Sequence, residues 1–504
     1  MSKENIASTE STAKADAHTA EHVDILIVGA GISGIGIAHH VKEQCPDKSF
    51  TILESKDTHG GTWATHTYPG IRSDSDLYTF GYRFKPWTGD PIASAQSINN
   101  YIGEVIKDDN LDQHIRYQHE IKKASWSDET QTWTISVNKT DSNEDVEITC
   151  NFFMWSGGYY DHKQGYTPQW AGMEQFKGAI VHPQSWPQDL DLSAKKVVVI
   201  GSGATAATLI PNIADDSDHV TMLQRSPTYF WTDANRNTMA DRLRLLELPE
   251  EWVHETVRRD LLQTAKEVQY AAAEHPEVVK EELLKVVREH VGDELAEKHF
   301  TPTYRPWQQR LAFVPNADLF KAVKSGKASI VTDKIESFTE KGILLQSGEE
   351  LEADVIITAT GFNLLPLGGI PYEINGKQVD LASSYTYRGI MLSGLPNLAM
   401  MFGYLRTSWT MRVDLVGDYI ARLLNQMDKR GVKVVTPTLR EQDQNMAKNR
   451  WISEDEFNPG YMNRHHHLMP KSGDNEPWKF SPDYYKEKDQ MPNFDLDEDT
   501  LVYK

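Results

Sequence analysis

Two glycine-rich turns, each fed by a short β-branched run, carry the first chemistry legible in this sequence. Val23-Asp24-Ile25-Leu26-Ile27-Val28 leads into Gly29-Ala30-Gly31-Ile32-Ser33-Gly34, and Lys196-Val197-Val198-Val199-Ile200 leads into Gly201-Ser202-Gly203-Ala204-Thr205-Ala206. In such a turn the first glycine permits the tight bend and the second lets backbone approach a pyrophosphate. The third lets helix and strand pack closely. Phosphates then rest at a helix N-terminus, where unpaired N–H groups and the dipole favour anions. The two turns differ in the residue that ends the next strand-like run. Glu54 stands 25 positions past Gly29, at such an end, where a carboxylate can accept both ribose hydroxyls. That selects FAD or NAD. Arg225-Ser226 end the corresponding run after the second turn, and a guanidinium there binds the 2′-phosphate that a carboxylate would repel. That selects NADPH.

Between the two turns lies Phe176-x-Gly178-x-x-x-His182-x-x-x-Trp186-Pro187. At this composition the string should arise by accident in roughly one chain in 10⁴, whereas a lone G-x-G-x-x-G does so in about one in ten. It is therefore the more informative signal. His182 has the chemistry of a general base, but its place outside both glycine folds argues against direct proton transfer. Just after the first fold begins come Gly60-Gly61-Thr62-Trp63 and Tyr68-Pro69-Gly70-Ile71-Arg72-Ser73-Asp74. The glycines allow close approach to a cofactor, and Trp63 offers a flat surface beside a ring system. His465-His466-His467 are adjacent and not at i, i+4, so no metal site is expected there.

These residues must be positioned by a doubly wound frame. A helix to about Gln44 and a strand Phe50–Leu53 complete the first strand–turn–helix–strand unit, and a strand near His219–Gln224 completes the second. The stretch 237–300 is charged and helical in period, with Leu284, Val287 and Val291 on one face and Pro249 and Pro276 as punctuation. It reads as a helical insertion packed on the nucleotide domain. Strands are expected at Ser329–Thr332, at Gly342–Leu345 and from Leu351 into Ala359-Thr360-Gly361. The fold class is α/β with two Rossmann-like dinucleotide-binding domains. The expected division is a disordered leader 1–20, a first domain in two parts, 21–165 and 350–504, and an inserted domain 166–349. The last fifty residues have weak periodicity and receive no fold.

The 504 residues carry 52 basic and 73 acidic side chains, a formal net charge of −21. Without a basic stripe, nucleic acid and anionic membrane are poor partners. No run approaches eighteen apolar residues, so no transmembrane segment is expected. Cys45 and Cys150, the only cysteines, supply neither a disulfide framework nor a C-x-x-C, which fits the cytoplasm and disfavours a disulfide reductase.

The three strings, in this order, are similar to those of type I Baeyer–Villiger monooxygenases. The resemblance runs from residue 22 to about 430. Within that family, Trp307-Gln308-Gln309-Arg310, Asp318-Leu319-Phe320 and Ser408-Trp409-Thr410 look most like the ethionamide-activating and long-chain alkane branches. The resemblance implies oxygenation with FAD, NADPH and O2, a ketone becoming an ester through a C4a-peroxyflavin. Alkane hydroxylation and sulfur or nitrogen oxygenation are the alternatives. It implies Arg310 as the fixed cation that stabilises developing negative charge, with Asp74 beside it and Arg305 as rival. It implies FAD contacts from Thr62, Trp63, Asp74, Thr360 and Gly361 in addition to the first turn and Glu54. NADPH contacts are implied for Arg72, Gly201, Ser202, Gly203, Thr205, Arg225 and Ser226. Phe176, Gly178, His182 and Trp186 would form a hinge between the domains. One departure is Gln309, where several family members carry Lys, which removes a second cation from the expected phosphate site. The apolar, Met-rich stretch 394–412 would close over FAD near a small apolar substrate.

Overall fold

A computed structural model describes residues 21–504; the expected leader, 1–20, lies outside them. The first sheet is built on β1 (Glu21–Val28), buried on both faces, with Ile25 and Ile27 on one side and Leu26 and Val28 on the other. Helix α1 (Ile32–Gln44) follows the first turn, and β2 (Phe50–Leu53) returns parallel to β1. On the other side of β1 runs β3 (Glu144–Trp155), also parallel, closing an antiparallel meander with strands His119–Ser127 and Thr132–Lys139. Trp126 and Trp133, both buried, make the meander a thick apolar slab under the turn.

The second sheet is wholly parallel. It contains β4 (Ala179–Val181), β5 (Lys196–Ile200), β6 (His219–Gln224), β7 (Ala328–Thr332) and β8 (Val355–Thr358) in the spatial order β7-β6-β5-β8-β4. Continuous apolar runs such as Val197–Ile200 suit strands covered on both faces. Helix α2 (Ala204–Ile213) follows the second turn.

The predicted single strand from Leu351 is two. Glu350–Glu352 pairs antiparallel with Gly342–Leu345, whereas β8 joins the parallel sheet between β5 and β4. Asp354 makes the break: its N–H donates to Lys196 O (2.8 Å) and its carboxylate accepts from Lys196 N (2.9 Å), turning the chain into a new sheet. Residues 355–358 therefore belong to the second sheet, and 350–352 to a small antiparallel one.

The insertion is helical as expected, in α3 (Thr238–Leu245), α4 (Glu250–Glu274), α5 (Pro276–Val291) and α6 (Asp293–His299). It packs on both units. Val287 enters the second unit's core, but Val253 and Val257 enter the first unit's. Arg258 fastens α4 there by donating from Nη1 to the carbonyls of Tyr78, Thr79 and Gly81. The C-terminal segment, unassigned from sequence, folds back on the first unit, where Leu501–Tyr503 pairs with Val435–Pro437. No described helix is long and apolar enough to cross a membrane.

Candidate active site

One cleft of about 1170 Å³ runs along the carboxyl ends of the parallel strands in both sheets. Ligands of open α/β sheets bind at that edge. Every residue expected to bind a cofactor borders it except Gly34 and Arg72. Gly34 is a packing residue, since a Cβ there would lie 1.8 Å from Gly29 O. The Arg72 Nη1 pairs with Asp318 Oδ2 at 2.6 Å, tying the strap that carries Asp74 to the first turn of a helix in the second unit.

At the first turn, Gly29 has φ +91° and its N–H donates to Leu53 O at 2.8 Å. A Cβ on Gly31 would meet Gly61 Cα at 3.4 Å, so the two glycine strings touch backbone to backbone at the cleft wall. Glu54 is buried. Its Oε2 accepts from Ala30 N (2.8 Å) and its Oε1 from Lys56 N (3.0 Å), which fixes a carboxylate at the rim. At the second turn a Cβ on Gly203 would meet nothing within 4 Å, so that glycine opens straight into the cleft. Helices α1 and α2 both begin without a side-chain cap and without an acid in the first turn. Two sets of free N–H groups at two cleft-facing helix starts fit two dinucleotide pyrophosphates.

Thr360 and Gly361, expected at FAD, are placed against the second turn. Ala359 O lies 2.4 Å from where a Gly201 Cβ would stand, because β8 is the neighbour of β5. The chain crosses between units at this point. Tyr166 N–H donates to Gly361 O (2.9 Å), and Thr360 Oγ1 donates to Tyr166 O. His182 packs beneath that crossing, its Cε1 1.9 Å from where a Gly165 Cβ would be, and its Nδ1 accepts from Gln184 N. Burial pushes its pKa down, and its buried Nε2 has no partner among the described residues. Phe176 is core of the second unit beside Val198 and Ile356, Gly178 passes under Asp354 O, and Trp186 packs on the same unit.

Where the two turns' grooves meet stands Arg310. Its Nε donates to Asp74 Oδ2 (2.7 Å) and its Nη2 to Asp74 Oδ1 (2.5 Å), a bidentate pair that fixes the guanidinium plane. Ser75 Oγ accepts a further bond at 3.2 Å. Burial pushes the Asp74 carboxyl up, but the Arg310 charge and its hydrogen bonds outweigh this and hold it below the usual range. The Asp74 charge raises Arg310 in turn. The Arg310 side chain is still 42% exposed and borders the cleft. The rival Arg305 donates outward to Asp455 O and does not border the cleft.

Aromatic walls surround this pair. Trp63 stands edge-on to Phe80, and Trp409 stacks on Tyr159 at 5.3 Å while donating to Ser33 Oγ (2.7 Å). Burial pushes His66 and His162 down to about 4, so both are neutral imidazoles at neutral pH. A second chamber of about 210 Å³ opens off Arg310 and is lined by Leu261, Leu262 and Ala265 of α4 with Leu311 and Leu405. Sequence reasoning missed Tyr159, Tyr461 and Arg464 on the cleft wall. Gly157-Gly158 at the end of β3 was a turn signal for the first, and the aperiodic tail gave none for the others. Among the described residues no acid, histidine and cysteine cluster could hold a metal.

Residues 92–367 match the family described as flavin-binding monooxygenase-like, and 27–86 match an NAD(P)-binding Rossmann-like domain. The chain is 45% identical over 486 residues to the FAD-containing monooxygenase EthA of Mycolicibacterium smegmatis, covering 96% of this chain and 97% of that protein. It is 41% identical to the probable FAD-binding monooxygenase AlmA of Acinetobacter baylyi, covering 96% of each. A crystal structure of OTEMO with FAD and NADP shares the fold at TM-score 0.72 and 20% identity, over 96% of this chain and 100% of that one. An oxidized steroid monooxygenase bound to NADP does so at TM-score 0.67 and 24% identity, over 83% and 88%. The chain belongs to the flavin-binding monooxygenase-like family.

Proposed function

We propose that the chain carries FAD on its first unit and NADPH on its second and converts an apolar ketone into an ester. The reaction balances as ketone, O2, NADPH and H⁺ giving ester, NADP⁺ and water. One oxygen atom enters the bond beside the carbonyl and the other leaves as water. The observation that carries this reading is a guanidinium clamped by Asp74 in the one cleft that both glycine turns line, beside a smaller chamber with leucines in part of its wall. Bound FAD supplies oxygen activation and NADPH the electron pair. The chain supplies the rest. Arg310 keeps its proton and holds positive charge where the ketone oxygen becomes negative. Asp74 and Ser75 keep it from swinging away. Trp63, Tyr159 and Trp409 shield the centre from water. The leucine-lined chamber accepts the substrate's alkyl arm.

The hinge reading assigns Phe176 and Gly178 to the second unit's anchor and His182 to the crossing of the two linkers. The buried, free Cys45 and Cys150 support a place in the cytoplasm. Incubation with NADPH, ¹⁸O2 and a panel of ketones, alkanes and sulfides tests the reaction. Ester carrying one ¹⁸O per NADPH consumed is expected; sulfoxide or alcohol without ester would replace this reading.

Arg225, exposed at the end of β6 and bordering the cleft, is assigned to the 2′-phosphate. Arg225→Ala should raise KM for NADPH about 10–100-fold, the loss of one charge-assisted contact. KM for NADH should hardly change. Equal effects on both would remove the assignment.

A further inference from the structure

Arg464 stands on the short helix Gly460–His465 of the C-terminal segment, far in sequence from both glycine turns. Its guanidinium lies flat on the Tyr166 ring, 3.5 Å from the centroid, and borders the cleft. Its Nη2 is 3.7 Å from where a Gly361 Cβ would stand, so it rests on the crossing of the two linkers. Neither Nε nor Nη2 has a hydrogen-bond partner among the described residues, although both are buried. The residue as a whole is only half-buried, but two buried nitrogens left this way are costly unless a ligand completes them.

The surrounding charges favour an anion as that ligand. Burial lowers the Arg464 pKa and Arg225 lowers it further, with Tyr166 acting the other way and no carboxylate opposing them. Asp333, on the rim after β7, has its carboxylate taken up by the backbone N–H groups of Lys334 and Ser347. Two cations thus face one groove beside a turn whose amides already favour an anion. Stacking on Tyr166 leaves the guanidinium edge free, and that edge is the part that takes a phosphate in two parallel hydrogen bonds.

We propose that Arg464 is a phosphate-binding residue for the nicotinamide dinucleotide, supplied by the C-terminal segment to the second unit's groove. The proposal rests on the NADPH reading above and adds a contact that no glycine-turn motif contains. It also gives the tail a purpose: Arg464 sits where the chain passes between the units, so a bound phosphate there joins the tail, the linkers and the second turn.

The test uses the purified, FAD-loaded protein and follows binding of NADP⁺, NAD⁺ and 2′,5′-ADP by calorimetry, without turnover. Arg464→Met keeps a long side chain over Tyr166 and removes the charge; Arg464→Lys restores the charge without the planar fork. Arg464→Met should raise the NADP⁺ Kd about 10–100-fold, with Arg464→Lys intermediate. Weakening of NADP⁺ and 2′,5′-ADP with NAD⁺ unchanged assigns the 2′-phosphate, and equal weakening of NADP⁺ and NAD⁺ assigns the pyrophosphate. Both support the proposal. An unchanged NADP⁺ Kd in Arg464→Met, with FAD content and Tm at wild-type values, overturns it. So does a loss that Arg464→Lys shares in full while Tm falls, because the role is then structural. Wild-type protein that fails to bind NADP⁺ would instead sink the cofactor reading itself.

Discussion

Arg310→Ala should leave NADPH able to bleach the bound flavin and should abolish ester formation. Hydride delivery needs no cation at this position, whereas attack on the ketone places negative charge beside it. Removing one fixed donor from such a site costs about 10²–10³-fold, or roughly 3–4 kcal/mol, and more when the donor carries full charge. Stopped-flow reduction and product analysis on the same preparation separate the two steps. Ester formation within tenfold of wild type would end the assignment of Arg310, as would a matching collapse of flavin reduction. Arg310→Lys should recover little, because a single ammonium cannot span both Asp74 oxygens at 2.5 and 2.7 Å. Loss of Arg310 also leaves Asp74 without its counter-charge, so burial pushes that carboxyl up with only the hydrogen bonds from Ser75 and the backbone opposing it.

The same pair sets an expectation for pH. The folded Asp74 carboxyl is held below its ordinary value, so the stabilisation it gives Arg310 is fully present above the unfolded pKa. It is lost only as pH falls through the depressed folded value. An acid limb of ester formation near neutrality therefore comes from a group other than Asp74.

Much of this frame was legible because its parts are local. A β-branched run, a glycine turn and an acid or arginine at the next strand end all lie within one short stretch of chain, and each is where it was expected. The features that escaped depend on contacts between distant segments. The ion pair of Arg72 with Asp318 joins residues 246 positions apart, which no local string announces. Thr360-Gly361 follows an apolar run that looks continuous, but Asp354 redirects the chain into the other sheet. The insertion has an ordinary amphipathic period, and nothing in that period says that Arg258 reaches three carbonyls of the first unit. The tail lacks periodicity because short helices and strand pairs hold it against the first unit, so Tyr461 and Arg464 arrive at the cleft without a motif.

Gly34→Val should yield protein without flavin. A Cβ at this position would lie 1.8 Å from Gly29 O and 3.0 Å from Gly29 C, both backbone atoms of the phosphate turn. No side-chain rotation can relieve that overlap. Either α1 lifts from β1 or the turn itself moves. The first would open the core in which Ile25, Ile27 and Ile35 are fully buried, and overpacking of this kind costs about 1–3 kcal/mol or more. The second would displace the amides of Gly31 and Ile32, which the proposed FAD site offers to the pyrophosphate. Valine also lowers helix propensity by a few tenths of a kcal/mol, too little to matter beside the clash. The expected result is a colourless protein with flavin content down at least tenfold and a lower Tm that added FAD only partly restores. The parallel change at the second turn is already native, because Ala206 occupies that position and is fully buried. Helix and strand there must stand slightly further apart, so Gly34→Ala should be milder than Gly34→Val. Full flavin occupancy in Gly34→Val would show that the first turn does not hold the cofactor, and the assignment of FAD to that unit would fall with it.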